Sequence, residues 1–136
     1  MKVLVDTSVW SLALRRRAAA AEPPAVASLR HLIANGRAAI VGPIRQELLS
    51  GIRDAAAFER LRDHLQAFPD EPLETGDYER AAAHFNTCRA RGLQGSNTDF
   101  LICAVAERHR MPILTTDKDF ESYAKLLSIA LHPLAS

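Results

Sequence analysis

Residues 2–14 read KVLVDTSVWSLAL, and their pattern decides the fold. Residues 2–5 form a short apolar run, rich in β-branched side chains and too brief for a helix, so they read as a strand. The chain turns at Asp6-Thr7-Ser8 and continues as VWSLAL, which suits a helix. A strand feeding a helix is the start of a parallel α/β unit, because parallel neighbours need crossover connections.

The rest of the chain repeats that alternation. After a connection through Arg15, Arg16, Arg17 and an alanine-rich segment ending at Pro24, a helix carries Val26, Leu29, Leu32 and Ile33 largely on one side and stops at Asn35-Gly36. Residues 38–41 predict a second buried strand, Gly42-Pro43 a helix start, and residues 44–50 a short helix ended by Gly51. Residues 54–67 fit an amphipathic helix with Phe58, Leu61 and Leu65 at helical spacing. Pro69 and Pro72 bracket a connection with room for a brief strand at Leu73. Helices are expected over 77–91, 98–110 and 117–126, with strands over 113–115 and 128–131. The fold class is therefore α/β, with a central, mostly parallel sheet of four to five short strands flanked by helices on both faces.

Composition narrows the function classes. At 136 residues and 48% hydrophobic content, the chain suits one domain with a proper core. A formal charge of +1 provides no global basic field, so any nucleic-acid contact must come from a local patch. Cys88 and Cys103 lie in apolar helical settings without zinc-ligand spacing, which argues against a disulfide framework or zinc site. His31, His64, His84, His109 and His132 likewise lack ligand spacing and read as surface or structural histidines. The absence of a signal-peptide pattern and of a long apolar run favours the cytoplasm, with no membrane partner.

Four acids stand where this pattern should bring them together. Asp6 ends the first strand, Asp117 follows the strand-like PILTT, and Glu47 and Asp99 sit on expected helices. Ligands collect beyond the carboxyl ends of strands in open α/β sheets, where Asp6 and Asp117 should emerge. Each acid also has a plainer reading: Asp6 and Asp117 suit helix caps, Asp99 suits the positive end of a helix macrodipole, and Glu47 suits a solvated surface. Periodicity weighs against the plain readings for the helical pair, since Glu47 shares a stripe with Ile44 and Leu48, and Asp99 with Ile102 and Cys103. At roughly 5 Å separation and an effective dielectric near 20, each ionised pair repels by about 3 kcal/mol, so a cluster takes up protons or binds cations. Oxygen-only ligands suit Mg²⁺ or Mn²⁺. Thr7, Ser8, Ser96, Asn97, Thr115 and Thr116 accompany the acids and are candidates to orient them, with capping and turn formation as the simpler alternative. Asp119 is a possible fifth acid.

The segments LVDTSVW, QELLSG, SNTDFLICAVA and ILTTDKDF, in this order, resemble a PIN-domain ribonuclease of the VapC toxin type, from residue 2 to residue 120. The resemblance implies a single PIN-like domain over 1–136 and a toxin that cuts RNA with Mg²⁺ or Mn²⁺, inhibited by a cognate VapB-type antitoxin. It implies Asp6, Glu47, Asp99 and Asp117 as the catalytic acids and metal ligands, with Asp119 less secure. Homodimerisation and a transfer-RNA or ribosomal-RNA target are usual in such proteins. Their antitoxin segment lies in a hydrophobic groove near the site, which gives Trp10, Leu12 and Leu14 a second reading beside core packing.

On this reading, metal-assisted hydrolysis leaves 5′-phosphate and 3′-hydroxyl ends. Asp6 and Asp99 serve as principal ligands, Asp117 as a ligand direct or through water, and Glu47 as a ligand or as the group orienting the attacking water. Arg15, Arg16 and Arg17 form the one basic run, placed either to contact RNA phosphates or to face solvent or antitoxin. Phosphoryl transfer through an aspartyl intermediate is disfavoured, because Ser8 stands where that chemistry wants a second aspartate. The remaining rival is a catalytically inactive PIN-like module that binds RNA or a partner.

Overall fold

The computed structural model describes residues 1–15 and 21–134. Its central strand is β1 (Val3–Val5), flanked in parallel by β2 (Ala38–Ala39) and β3 (Ile113–Leu114) in the order β2-β1-β3. Successive strand residues point to opposite faces, so the complete burial of Val3, Leu4 and Val5 means that both faces are covered. The apolar opening run is a strand because every one of its side chains has a core to enter.

Seven helices among the described residues supply that cover: α1 (Thr7–Arg15), α2 (Pro24–Ala34), α3 (Gly42–Leu49), α4 (Ala55–Leu65), α5 (Thr75–Ala90), α6 (Asn97–His109) and α7 (Asp119–Ala124). α1 packs against α2 and α3, α3 against α4, and α5 along α6. α6 is the most buried, with every residue from Phe100 to Ala106 in the core. The Arg108 guanidinium grips Asp77 of α5 in a fork, Nε to Oδ1 at 2.8 Å and Nη2 to Oδ2 at 2.9 Å, and a second bond joins His84 to Glu107. Trp10 takes the core reading: it is buried, its indole N–H donates to the Val5 carbonyl at 3.2 Å, and its ring meets Phe68 edge-on.

The sheet is narrower than expected, with three strands among the described residues rather than four or five. Two single-residue bridges stand where further strands were anticipated, Ile40 with Asp70 and Ile113 with Leu131. The expected strand at Leu73 is replaced by the Asp70 bridge, because Pro69 and Pro72 remove the N–H groups that a longer ladder would use. The expected strand over 128–131 shrinks to Leu131, where the N–H of His132 donates to the Ile113 carbonyl and Pro133 then ends the pairing. The last helix is also shorter, starting at Asp119 rather than at residue 117. No helix among the described residues is long and apolar enough to cross a membrane.

Connections from β1 run to one side through α1 and α2, and from β2 back to β3 on the other side. The strand order therefore reverses between β1 and β3, the position where α/β sheets open a crevice at their carboxyl ends.

Candidate active site

Asp6 occupies that crevice. Its backbone N–H donates to the Leu114 carbonyl at 2.9 Å, so the β1–β3 ladder runs up to the residue itself. Its side chain is only 4% exposed, and Oδ2 accepts hydrogen bonds from the Ser8 and Thr115 hydroxyls, each at 2.8 Å. Ser8 Oγ accepts in turn from the Thr116 N–H at 3.1 Å. A nearly buried carboxylate is thus fixed by neutral donors, with no ion pair to an arginine or lysine among the described residues.

Asp99 enters from the other side of the site, on the first turn of α6. It forms a capping box with Ser96: the Asp99 N–H donates to Ser96 Oγ and the Ser96 N–H to Asp99 Oδ2, both at 3.1 Å. The capping reading and the site reading hold together, because burial and the negative charges of Asp6 and Asp117 raise the Asp99 pKa above the ordinary aspartate value, against the Ser96 bonds that lower it.

Asp117 follows β3, its N–H donating to Thr115 Oγ1 at 3.0 Å and its Oδ1 accepting the Asp119 N–H at 2.9 Å. Thr115 therefore serves two acids, Asp6 through its donor and Asp117 through its acceptor. Asp119 is exposed. Glu47 departs from the core-directed stripe expected of it and is exposed, while Ile44 and Leu48 on the same helix are buried. At about 100° per residue it lies some 60° from Ile44 on the side away from Leu48, at the margin of the stripe. It still reaches the site, since Thr7, next to Asp6, donates its hydroxyl to Glu47 Oε1 at 2.8 Å. Asn97 lines a small pocket with Tyr78 and Leu101, and Ser96 holds Asp99.

Donor chemistry decides what this cluster fits. The acids and their hydroxyl neighbours are hard oxygen donors, the set that Mg²⁺ or Mn²⁺ takes. Among the described residues, no three acidic, cysteine or histidine side chains are grouped so as to hold a metal ion as they stand. An open arrangement suits Mg²⁺, which keeps several waters and takes one or two carboxylates.

Beside the acids runs a groove of about 720 Å³ between α1, α3 and α4. Leu14, Leu48, Ile52 and Leu61 line it, together with the exposed Arg60 and His64 and with Glu47, which Thr7 bonds beside Asp6. Arg15 also lines it, whereas Arg16 and Arg17 lie outside the described residues.

Sequence reasoning missed Tyr123. It is buried, donates its hydroxyl to the Gln94 carbonyl at 2.8 Å, and has a pKa raised by burial and by the charges of Asp99, Asp119 and Asp117. The available signal was its place three residues after Phe120, since a tyrosine on a buried helical stripe needs a partner for its hydroxyl.

Comparison with known proteins agrees with this fold. Residues 3–126 match the PIN domain family. Ribonuclease VapC11 of Mycobacterium tuberculosis is 30% identical over 131 residues, covering 93% of this chain and 95% of that protein, and a VapC ribonuclease of Mycobacterium bovis matches equally. Among solved structures, FitAcB from Neisseria gonorrhoeae superposes with a TM-score of 0.74 at 20% identity, covering 96% of each chain. VapBC2 from Rickettsia felis, bound to a DNA fragment from its promoter, gives 0.74 at 17% identity over 97% of this chain and 98% of the other. A toxin–antitoxin complex from Klebsiella pneumoniae gives 0.60 at 22% identity over 88% and 90%.

Proposed function

The chain belongs to the PIN-domain family and has VapC ribonucleases as relatives, and on that premise we propose that it is a Mg²⁺- or Mn²⁺-dependent endoribonuclease, the toxin of a toxin–antitoxin pair. The observation that carries this reading is the bridge between Asp6 and Asp117 at the carboxyl ends of β1 and β3, where one Thr115 hydroxyl donates to Asp6 and accepts from the Asp117 N–H.

Asp6, Asp99 and Asp117 would hold a divalent cation, which when bound would supply neutralising charge at the scissile phosphate and make water a better nucleophile. The protein's part is placement. Ser8 and Thr115 fix one oxygen of Asp6, and Ser96 fixes Asp99. Asp117 completes the cluster from the end of β3. Glu47, held by Thr7 but exposed, is suited to orient the attacking water and accept its proton. In-line attack expels the 3′-oxygen, leaving 5′-phosphate and 3′-hydroxyl ends.

The groove beside Glu47 supports the antitoxin reading. Its leucine and isoleucine lining suits the apolar face of an amphipathic segment, and Glu47 in the same lining offers an anchor for a cationic side chain of a VapB-type antitoxin. Assembly as a homodimer is part of the same proposal, with light scattering as its test.

The deciding experiment is cleavage of total RNA by antitoxin-free protein with Mg²⁺ or Mn²⁺, alongside EDTA and an Asp99→Asn protein. Discrete fragments with 5′-phosphate ends that vanish in both controls are expected. Equal behaviour of wild type and variant would overturn the catalytic reading in favour of an inactive binding module.

A further inference from the structure

Asp99 depends on a loop. The chain reaches α6 through residues 92–96, and Ser96 at the end of that segment makes both bonds of the Asp99 capping box. Whatever fixes the loop fixes the carboxylate. The side chain that grips it comes from α7: the Tyr123 hydroxyl donates to the Gln94 carbonyl at 2.8 Å. Gly95 shows how closely the two meet, since a Cβ there would collide with the Tyr123 hydroxyl and approach the Phe100 ring to 3.0 Å.

Tyr123 is itself held rigidly. It is 1% exposed, with its ring centroid 5.0 Å from Phe100 of α6 and 5.3 Å from Phe120 of its own helix. α7 also begins at Asp119, whose N–H is bonded to Asp117. One side chain thus joins the element that follows Asp117 to the loop that orients Asp99.

We propose that Tyr123 is a positioning residue of the acidic site: its hydroxyl pins residues 94–96, so that Ser96 holds Asp99 facing Asp6 and Asp117. Its consequence for metal binding rests on the nuclease reading above. Nothing in this role asks the phenol to touch substrate or exchange a proton. Loss of the hydroxyl leaves the Gln94 carbonyl without this partner and lets the loop, and Asp99 with it, sample more positions.

The test compares wild type, Tyr123→Phe and Phe85→Leu, the last disturbing the same aromatic cluster through the Phe85–Phe100 edge contact at 5.7 Å. Amide exchange at Ser96 and Asp99 is read against Leu4 and Val5 in the central strand, and Mn²⁺ affinity is read by electron paramagnetic resonance. Tyr123→Phe is expected to speed exchange at Ser96 and Asp99 selectively and to weaken Mn²⁺ binding about tenfold, the lower end for residues that orient a metal ligand. Phe85→Leu is expected to leave both readouts close to wild type. Unchanged exchange in Tyr123→Phe overturns the proposal whether or not metal binds, and a loosened loop with unchanged Mn²⁺ affinity overturns the positioning role. Wild type that binds no Mn²⁺ overturns the metal reading instead, while the exchange data still decide whether Tyr123 pins the loop.

Discussion

The hydroxyl of Thr115 donates to Oδ2 of Asp6 at 2.8 Å across 109 residues of sequence, joining the ends of two neighbouring parallel strands. The same oxygen of Thr115 accepts the Asp117 N–H, so one side chain sets the relation between two acids. Thr115→Val keeps the shape and removes both bonds. Cleavage is expected to fall about 10- to 100-fold, as when a partner that orients a metal ligand is lost. Stability should fall by about 1–3 kcal/mol, the net value of two hydrogen bonds. Thr115→Ser should retain most activity, and cleavage rates beside denaturant melts of both variants check the pair.

Asp99→Asn separates function from stability. Burial and the charges of Asp6 and Asp117 raise the native pKa of Asp99, so the folded protein binds its proton more tightly than the unfolded chain does. The sign follows: stability falls as pH rises from the ordinary aspartate value through the raised native one, and stays lower beyond it. Asparagine removes that charge and keeps an oxygen for the Ser96 N–H. The metal-free variant is expected to melt no lower than wild type at pH 7, with the difference shrinking in acid, while cleavage drops on the order of 100-fold or more. A variant that melts well below wild type at pH 7 would contradict the raised native pKa of Asp99.

Much of this was legible because the opening strand has an unambiguous pattern. KVLV enters a core on both faces, and the residue after it must then stand at the carboxyl edge. The sheet edges were less legible, since the apolar character of residues 128–131 reports burial, whereas strand length depends on how far a neighbour offers hydrogen bonds. Here Pro133 stops the pairing after one bridge. Glu47 shows the limit of periodicity on an eight-residue helix, where a position at the stripe's margin reads as buried and stands exposed. Tyr123 was hidden for another reason: its partner is a backbone carbonyl on a distant loop, which no local pattern encodes.

The fork between Arg108 and Asp77 predicts a distinct acid response. Arg108 holds the pKa of the buried Asp77 below the ordinary aspartate value. A depressed native pKa contributes stability that is complete above the unfolded value and is lost as pH falls through the native one. Asp77→Asn should therefore cost about 1.5–3 kcal/mol near neutrality, the range for hydrogen bonds to charged groups. The gap between wild type and variant should close in acid, and denaturant melts from pH 7 down to the acid limit of folding check it. A gap independent of pH would place the loss in packing rather than charge.

The basic run is the last point where charge can be made to report function. Arg15 ends α1 beside the groove, its Nε bonded to the Ser11 carbonyl, and Arg16 and Arg17 follow it in sequence. If the three side chains bind RNA phosphates, each releases counterions, and the dependence of log affinity on log salt steepens by about 0.7 per contact on a single strand. Replacing all three by alanine in the Asp99→Asn background, where substrate survives, should then flatten the slope by roughly 2 and weaken binding at low salt far more than at high salt. An unchanged slope, with weaker capture of the antitoxin, would assign the run to the groove and its partner.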